Sequence, residues 1–187
     1  MPDRTRSRIA PFVALGIAAV IALLFVVFAG ADPDKAESAD TPLLNRVAPP
    51  TVGRLEGGDG RTWDLSRRKG SWVVLNFFDS TCVPCRNEHP ELLRFDADQD
   101  AQPDGAELVT IVWGREPGGA VEFFAEEGRD WPMVFDHDGA IATAYGVTQV
   151  PETWIIDPRG IVAARFIGEV TADGLSQRLG ALQAVNA

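Results

Sequence analysis

The chain has 187 residues, 45% of them apolar, and a formal net charge of −10. That length holds one domain and an appendage, with enough apolar material to bury a core without disulfide staples. The richness in Ile, Val, Leu and Phe excludes a disordered chain, and the negative balance excludes nucleic acid as a partner.

Residues 9–31 carry no charged side chain, and as a helix these 23 positions would rise ~34 Å against ~30 Å of hydrocarbon, enough to cross a bilayer. Arg4, Arg6 and Arg8 precede the run, whereas Asp32, Asp34, Glu37 and Asp40 follow it. The positive-inside rule therefore places the N-terminus in the cytoplasm and the bulk of the protein outside. A cleavable signal peptide is the competing reading, because Ala29-Gly30-Ala31 fits a small-residue cleavage site, although a signal's apolar core is usually ~7–15 residues. Both readings export the remainder. No cysteine lies near the run to carry lipid, and Thr5 separates Arg4 from Arg6, so no twin-arginine pair forms.

Residues 32–47 are acidic, lack aromatics and contain Pro33 and Pro42, which suits a flexible linker to a domain at 48–187. Without residues 1–31 the chain keeps 14 basic and 26 acidic residues, a net −12, so anionic lipid is excluded as a partner of the exported part. A glycine-rich hairpin is expected around residues 57–60.

"WVVLNFF", residues 72–78, and "ELVTIVW", residues 107–113, are near-continuous apolar runs of the kind that form strands buried on both faces. Between them, residues 83–98 have helical spacing, with Cys85, Glu88, Leu92, Leu93 and Phe95 or Asp96 near one side and Arg86, Asn87, Glu91 and Arg94 on the other. Strand, helix, strand implies a right-handed crossover and a parallel pair. Residues 117–127 read as a helix, 132–135 as a short strand, and 139–145 as a short helix stopped by Gly146. "ETWIID" and "IVAARFIG" flank a turn at Asp157 to Gly160 and read as a hairpin, and a last helix begins near Thr171 with Leu175, Leu179 and Leu182 along one face. The sum is an α/β domain whose central sheet mixes parallel and antiparallel strands and is flanked by helices.

Both cysteines lie in "CVPC", residues 82–85. Haem attachment requires His after the second cysteine, and position 86 is Arg. Structural zinc needs four ligands, and only Cys82, Cys85, His89 and His137 are on offer, His89 being read as a polar residue on the exposed helix edge. No metal site and no cofactor is expected. A thioredoxin-like copper metallochaperone using Cys82, Cys85 and His137 is an alternative, although "DHDG" around His137 is explained by turn chemistry alone. A purely structural bridge across two residues would restrain little of the unfolded chain. The remaining reading is a redox dithiol at the start of a helix. Cys82 then sits where unpaired N–H groups and the helix dipole favour a thiolate and is the attacking thiol, while Cys85, one turn in, resolves.

"LNFF" before the cysteines, "CVPCRNEHP", "YGVTQVPETWIIDPRG" and the apolar N-terminus, in this order, resemble the thioredoxin fold. Within that fold they are similar to the membrane-tethered thiol-disulfide oxidoreductases of the TlpA, ResA and DsbE (CcmG) group, over residues 50–185. The resemblance implies that Pro151 is a cis-proline placed against the dithiol. Its neighbour Val150 then pairs by backbone with an extended substrate segment, as an added strand. Glu152 and Thr81 are expected to face the same groove, Thr81 standing where the group usually has tryptophan. Thioredoxins proper have a buried Asp six residues before the first cysteine, and here that position is Asn76, which cannot titrate. Glu88 supplies an acid from the helix side, as in the resembled group, and is expected to handle the proton of Cys85.

A helix N-terminus contributes ~0.3–2 kcal/mol, so Cys82 is expected to fall from ~8.5 toward ~7, and not to the ~3.5 of a strong oxidant. Negative charge on Glu88 and Glu152 would oppose even that. Reduction of disulfides is therefore favoured, with a dithiol oxidase as an alternative, and turnover leaves a Cys82–Cys85 disulfide. The resemblance further implies disulfide-containing exported proteins as partners, apocytochrome c among them, and a membrane electron donor. The expected protein is a single-pass membrane protein, monomeric, with its domain on the extracytoplasmic side.

Overall fold

The computed structural model describes residues 10–29, 39–56, 60–114 and 118–186. Two compact units result, residues 1–35 and 36–187. The first contains helix α1, Ala10–Ala29, whose described side chains, residues 13–23, are uncharged and exposed. Among the described residues no helix is long and apolar enough to cross a membrane. The expected span of residues 9–31 extends into residues outside that description.

The second unit is built on a seven-stranded sheet in the order β2-β1-β5-β4-β3-β6-β7. Its strands are β1 (Val52–Leu55), β2 (Thr62–Asp64), β3 (Val73–Phe78), β4 (Glu107–Trp113), β5 (Met133–Asp136), β6 (Glu152–Ile156) and β7 (Val162–Ile167). The apolar run expected at 72–78 is the central strand: all six residues of β3 are buried, between parallel β4 and antiparallel β6. β5 continues the parallel side, and the expected hairpins β1–β2 and β6–β7 complete the sheet antiparallel. Sequence did not reveal that β1 pairs with β5, because a register between distant strands leaves no local trace.

Helices α2 (Val83–Asp100), α3 (Gly118–Glu127), α4 (Ala140–Tyr145) and α5 (Ala172–Asn186) cover the sheet. One face carries Val74 and Phe78 of β3 together with Leu92 and Phe95 of α2, Phe123 and Phe124 of α3, and Leu175 and Leu179 of α5. The other carries Leu75 and Phe77 with Trp63, Trp154 and, from α4, Ile141 and Tyr145. Alternation along β3 thus sends Asn76 to the α2 face. The architecture is the expected α/β fold with a mixed, helix-flanked sheet.

Two expectations need correction. His89 is buried at 2% exposure, not on the exposed helix edge, because it lies one turn beyond Cys85 on the inward face. It packs against Phe123, Phe124 and Trp131, its Nε2 is 2.8 Å from Gly128 O, and burial lowers its pKa. Residues 39–47, expected within the linker, are docked on β7. Ala39 N–H donates to Arg165 O, Asn45 N–H donates to Val162 O, and Val47 bridges Ile161, with Leu43 packed on the core. Apolar Leu43 and a free strand edge outweigh the acidic, proline-containing composition.

Leu92, 2% exposed, continues the inward face of α2 beyond Glu88 and fixes the helix to the sheet. Leu92→Ala should lower the unfolding free energy by ~2–5 kcal/mol through lost burial and a cavity. Urea denaturation followed by tryptophan fluorescence measures it, and a loss well below 1 kcal/mol would show that α2 is held by other contacts.

Candidate active site

Strand β3 ends at Phe78, and the next four residues turn the chain into α2. Asp79 organises that turn: its Oδ1 accepts from Thr81 N–H at 2.7 Å and from the Thr81 hydroxyl at 2.6 Å, and its carbonyl accepts from Cys82 N–H at 3.1 Å. The start of α3 presses on the same loop, since a Cβ on Gly119 would come within 2.6 Å of Ser80 Oγ. Thr81 is exposed and spends its hydroxyl on Asp79.

Cys82 is the N-cap of α2 and is bonded to Cys85 as a disulfide, with the Cα atoms 5.3 Å apart. Its sulfur accepts the Cys85 N–H at 3.1 Å, one of the donors that a helix start leaves without a backbone partner. The two sulfurs differ in access: Cys82 is half-buried, while Cys85 is fully buried. The Val150–Pro151 peptide is cis, as the resemblance implies, and Val150 O lies 3.4 Å from Cys82 Sγ. Val150 and Pro151 thus meet the first cysteine from the β6 side.

Glu88 lies one turn below Cys85 and is 1% exposed. Asn76 Nδ2 donates to its Oε1 at 2.8 Å, and Val170 N–H donates to its Oε2 at 3.0 Å. Burial pushes its pKa up to about 8, against the lowering effect of those two bonds, and Glu169 pushes it further in the same direction. Asn76 Nδ2 also donates to Thr153 Oγ1 at 3.2 Å, while Asn76 Oδ1, buried, has no partner.

Glu152 does not join this group. It pairs across the sheet with Phe77, hence on the face away from α2, and is fully buried in a bidentate ion pair with Arg165, 3.0 Å from Nε and 2.8 Å from Nη2. Arg165 lies over Trp154 and reaches the Asp40 carbonyl. The expected repulsion of a Cys82 thiolate by Glu88 and Glu152 is therefore reduced at neutral pH: one acid is neutralised by proton uptake and the other by Arg165. Nor does His137 approach the cysteines. It follows β5, which β4 separates from β3, and its ring lies beside Phe135. Among the described residues no group of three His, Cys, Asp or Glu could hold a metal.

Thr153, Val170 and Arg165 were not legible as parts of this region. Thr153 is set by the β3–β6 register, Val170 contributes only its backbone, and Arg165 lies in a strand whose alternate residues are apolar, where an arginine reads as solvent-facing. Asn76 was visible, but only as a residue that cannot titrate.

A helix-capping Cys-x-x-Cys, a cis-proline against the first sulfur and a buried acid beneath the second define a thioredoxin-like thiol-disulfide oxidoreductase. A sequence profile described as the AhpC/TSA family matches residues 46–165, and the chain belongs to that family. It is 32% identical to the thiol:disulfide interchange protein HelX of Rhodobacter capsulatus, over 77% of this chain and 79% of that one. It is 33% identical to a thiol:disulfide interchange protein DsbE homolog of Paracoccus denitrificans, over 92% and 93% of the two chains. A crystal structure described as a DsbE-type thiol:disulfide interchange protein from Chlorobium tepidum superposes with a TM-score of 0.64 at 30% identity, covering 78% of this chain and 97% of that one.

A buried acid with a raised pKa makes stability depend on pH. Glu88 ionises near 4.5 when unfolded and near 8 when folded, so the folded state holds one extra proton between those values. The stabilisation is complete below the unfolded pKa and is lost as pH rises through about 8. Oxidised protein, which has no titrating thiols, should therefore lose several kcal/mol between pH 5 and pH 9. Glu88→Gln should flatten that dependence in urea unfolding curves taken across the range, and an unchanged slope would place Glu88 in solvent.

Proposed function

We propose that this protein is an extracytoplasmic reductant of protein disulfides that works through the Cys82–Cys85 dithiol. The observation that carries the reading is the asymmetry of the pair, with an accessible sulfur at a helix N-terminus and a buried one above a buried acid. The reduced enzyme attacks with the Cys82 thiolate, which the Cys85 N–H and the helix end stabilise. The sulfur–sulfur bond of the substrate breaks, a mixed disulfide forms at Cys82, and the leaving sulfur takes up a proton. In the fraction of molecules whose Glu88 is ionised, a fraction that grows as pH rises toward about 8, Cys85 gives its proton to the Glu88 carboxylate and attacks Cys82 Sγ, which releases the second substrate sulfur as a thiolate. Two electrons pass to the substrate, and the enzyme is left with the Cys82–Cys85 disulfide.

Glu88 suits that role because burial pushes its pKa up to about 8, which makes its carboxylate a far stronger proton acceptor than an ordinary exposed one. Val150, at the cis-proline, offers its backbone to an extended substrate segment, and Thr81 borders the same groove. The reducing direction is supported by the modest stabilisation available to Cys82. The nearest arginine of the helix, Arg86, lies over the Phe123 ring, and a helix end with one N–H falls short of the cationic help a strong oxidant needs. Residues 9–31 supply a membrane anchor, Arg4, Arg6 and Arg8 keep its start in the cytoplasm, and the domain faces outward. The substrates are exported proteins with disulfides, apocytochrome c among them, and a membrane protein returns the electrons.

The domain should reduce a disulfide-bonded peptide, Cys82→Ser should abolish the activity, and Cys85→Ser should accumulate a mixed disulfide visible on a non-reducing gel. Equilibration with glutathione should give a potential more reducing than ~−180 mV, whereas a value near ~−120 mV would make the protein an oxidase. Stoichiometric Cu(I) binding without disulfide exchange would replace this reading altogether.

A further inference from the structure

Asn76 is a polar residue in the middle of a strand buried along its whole length, between Leu75 and Phe77 and opposite Thr153 of β6. Its side chain is fully buried, and its carbonyl oxygen has no hydrogen-bond partner. A buried acceptor left unpaired is a cost to folding that an apolar residue of similar volume would avoid. What the residue provides instead is its amide group. The two N–H bonds are divided between Glu88 Oε1 at 2.8 Å and Thr153 Oγ1 at 3.2 Å. The amide is therefore oriented by one partner and directed at the other.

We infer that Asn76 is a positioning residue for the proton step at Cys85, its amide, oriented by the Thr153 hydroxyl, aligning the Glu88 carboxyl and stabilising its ionised form. The inference rests on the reading of Glu88 as the group that exchanges a proton with Cys85. An amide suits the position where an acid would not. An aspartate there would set a second carboxyl within hydrogen-bond distance of the first, and the two could ionise together only at high pH. A leucine would leave Glu88 Oε1 facing hydrocarbon. Asparagine alone among these donates to the carboxylate without adding charge, so Glu88 remains able to accept a proton near the pH at which thiols ionise.

Beyond burial, three groups act on Glu88: the Asn76 amide from β3, and the Val170 N–H and the charged Glu169 from the segment before α5. Removing the Asn76 donor leaves Glu169 and burial in place, and both oppose ionisation. Loss of the Thr153 hydroxyl leaves the donor present but free to turn, so its effect has the same sign and is smaller.

The test uses the oxidised protein first, because its cysteines do not titrate and Glu88 can be followed alone by the carboxyl carbon shift in NMR. Asn76→Leu should raise the Glu88 midpoint by about one pH unit, the equivalent of one hydrogen bond to a charged group, and Thr153→Val should raise it by less. Asn76→Asp should raise it further and turn the curve into two coupled steps. In the reduced protein the pH at which disulfide exchange reaches half its maximal rate should move up by the same amount in each variant. A merely structural role would lower stability and leave both midpoints in place. If Asn76→Leu does not fold, Thr153→Val decides, since valine matches threonine in shape and removes only the hydroxyl. An unchanged NMR midpoint in the variant that folds overturns the inference, and so does a shifted midpoint with an unmoved rate profile. Failure of the wild-type dithiol to exchange would instead sink the proposed function, leaving the titration result as a statement about Glu88 alone.

Discussion

Everything around the cysteines is arranged to keep one carboxyl group out of water. Glu88 sits between the sheet and α2, where an ionised side chain without partners would cost several kcal/mol. Three elements contribute to holding it: β3 through Asn76, the chain entering α5 through the Val170 N–H, and α2 through its own backbone. The position of α2 against β3 and α5 is thus a condition of the chemistry as well as of the core. Because the carboxyl is neutral through most of the physiological range, the helix start above it presents Cys82 without a strong opposing charge.

Two glutamates are buried among the described residues, and the same problem is solved in two ways. Glu152 is held by two nitrogens of a guanidinium, Nε and Nη2 of Arg165, which satisfies its oxygens and supplies a counter-charge. Glu88 is given amide donors only, which satisfy its oxygens without a counter-charge. One arrangement makes a fixed link between β6 and β7 beneath the cis-proline, and the other makes a group that can change its proton. The difference in partners, and not in depth, separates a structural acid from a reactive one.

Much of this was legible in the sequence, for physical reasons that vary along the chain. Long apolar runs such as residues 72–78 mark buried strands because few other structures accept them, and the 3.6-residue spacing of Cys85, Glu88 and Leu92 identified the inward face of α2. That same spacing includes His89, whose position on the inward face outweighs its polarity. Glu152 was expected in the groove from its place after Pro151, yet strand alternation turns it to the opposite face. The partners of Glu88 and Glu152 depend on which strands lie side by side, and nothing local encodes that Asn76 meets Thr153 or that Arg165 meets Glu152.

Residues 39–47 read as spacer, but they lie along the outer strand β7 and take up backbone groups there, with Val162 both accepting from Asn45 and donating to Arg46. An uncovered edge strand is a template on which a second sheet can grow, and proteins of this class of architecture need some means of blunting it. Here the block comes from the chain's own approach to the domain. A fragment begun at Ala48, where composition alone would place the boundary, would keep every residue of the site and yet expose β7 to its neighbours in solution. What looks like a tether is thus a cover for the edge of the sheet, made of residues that never touch the cysteines.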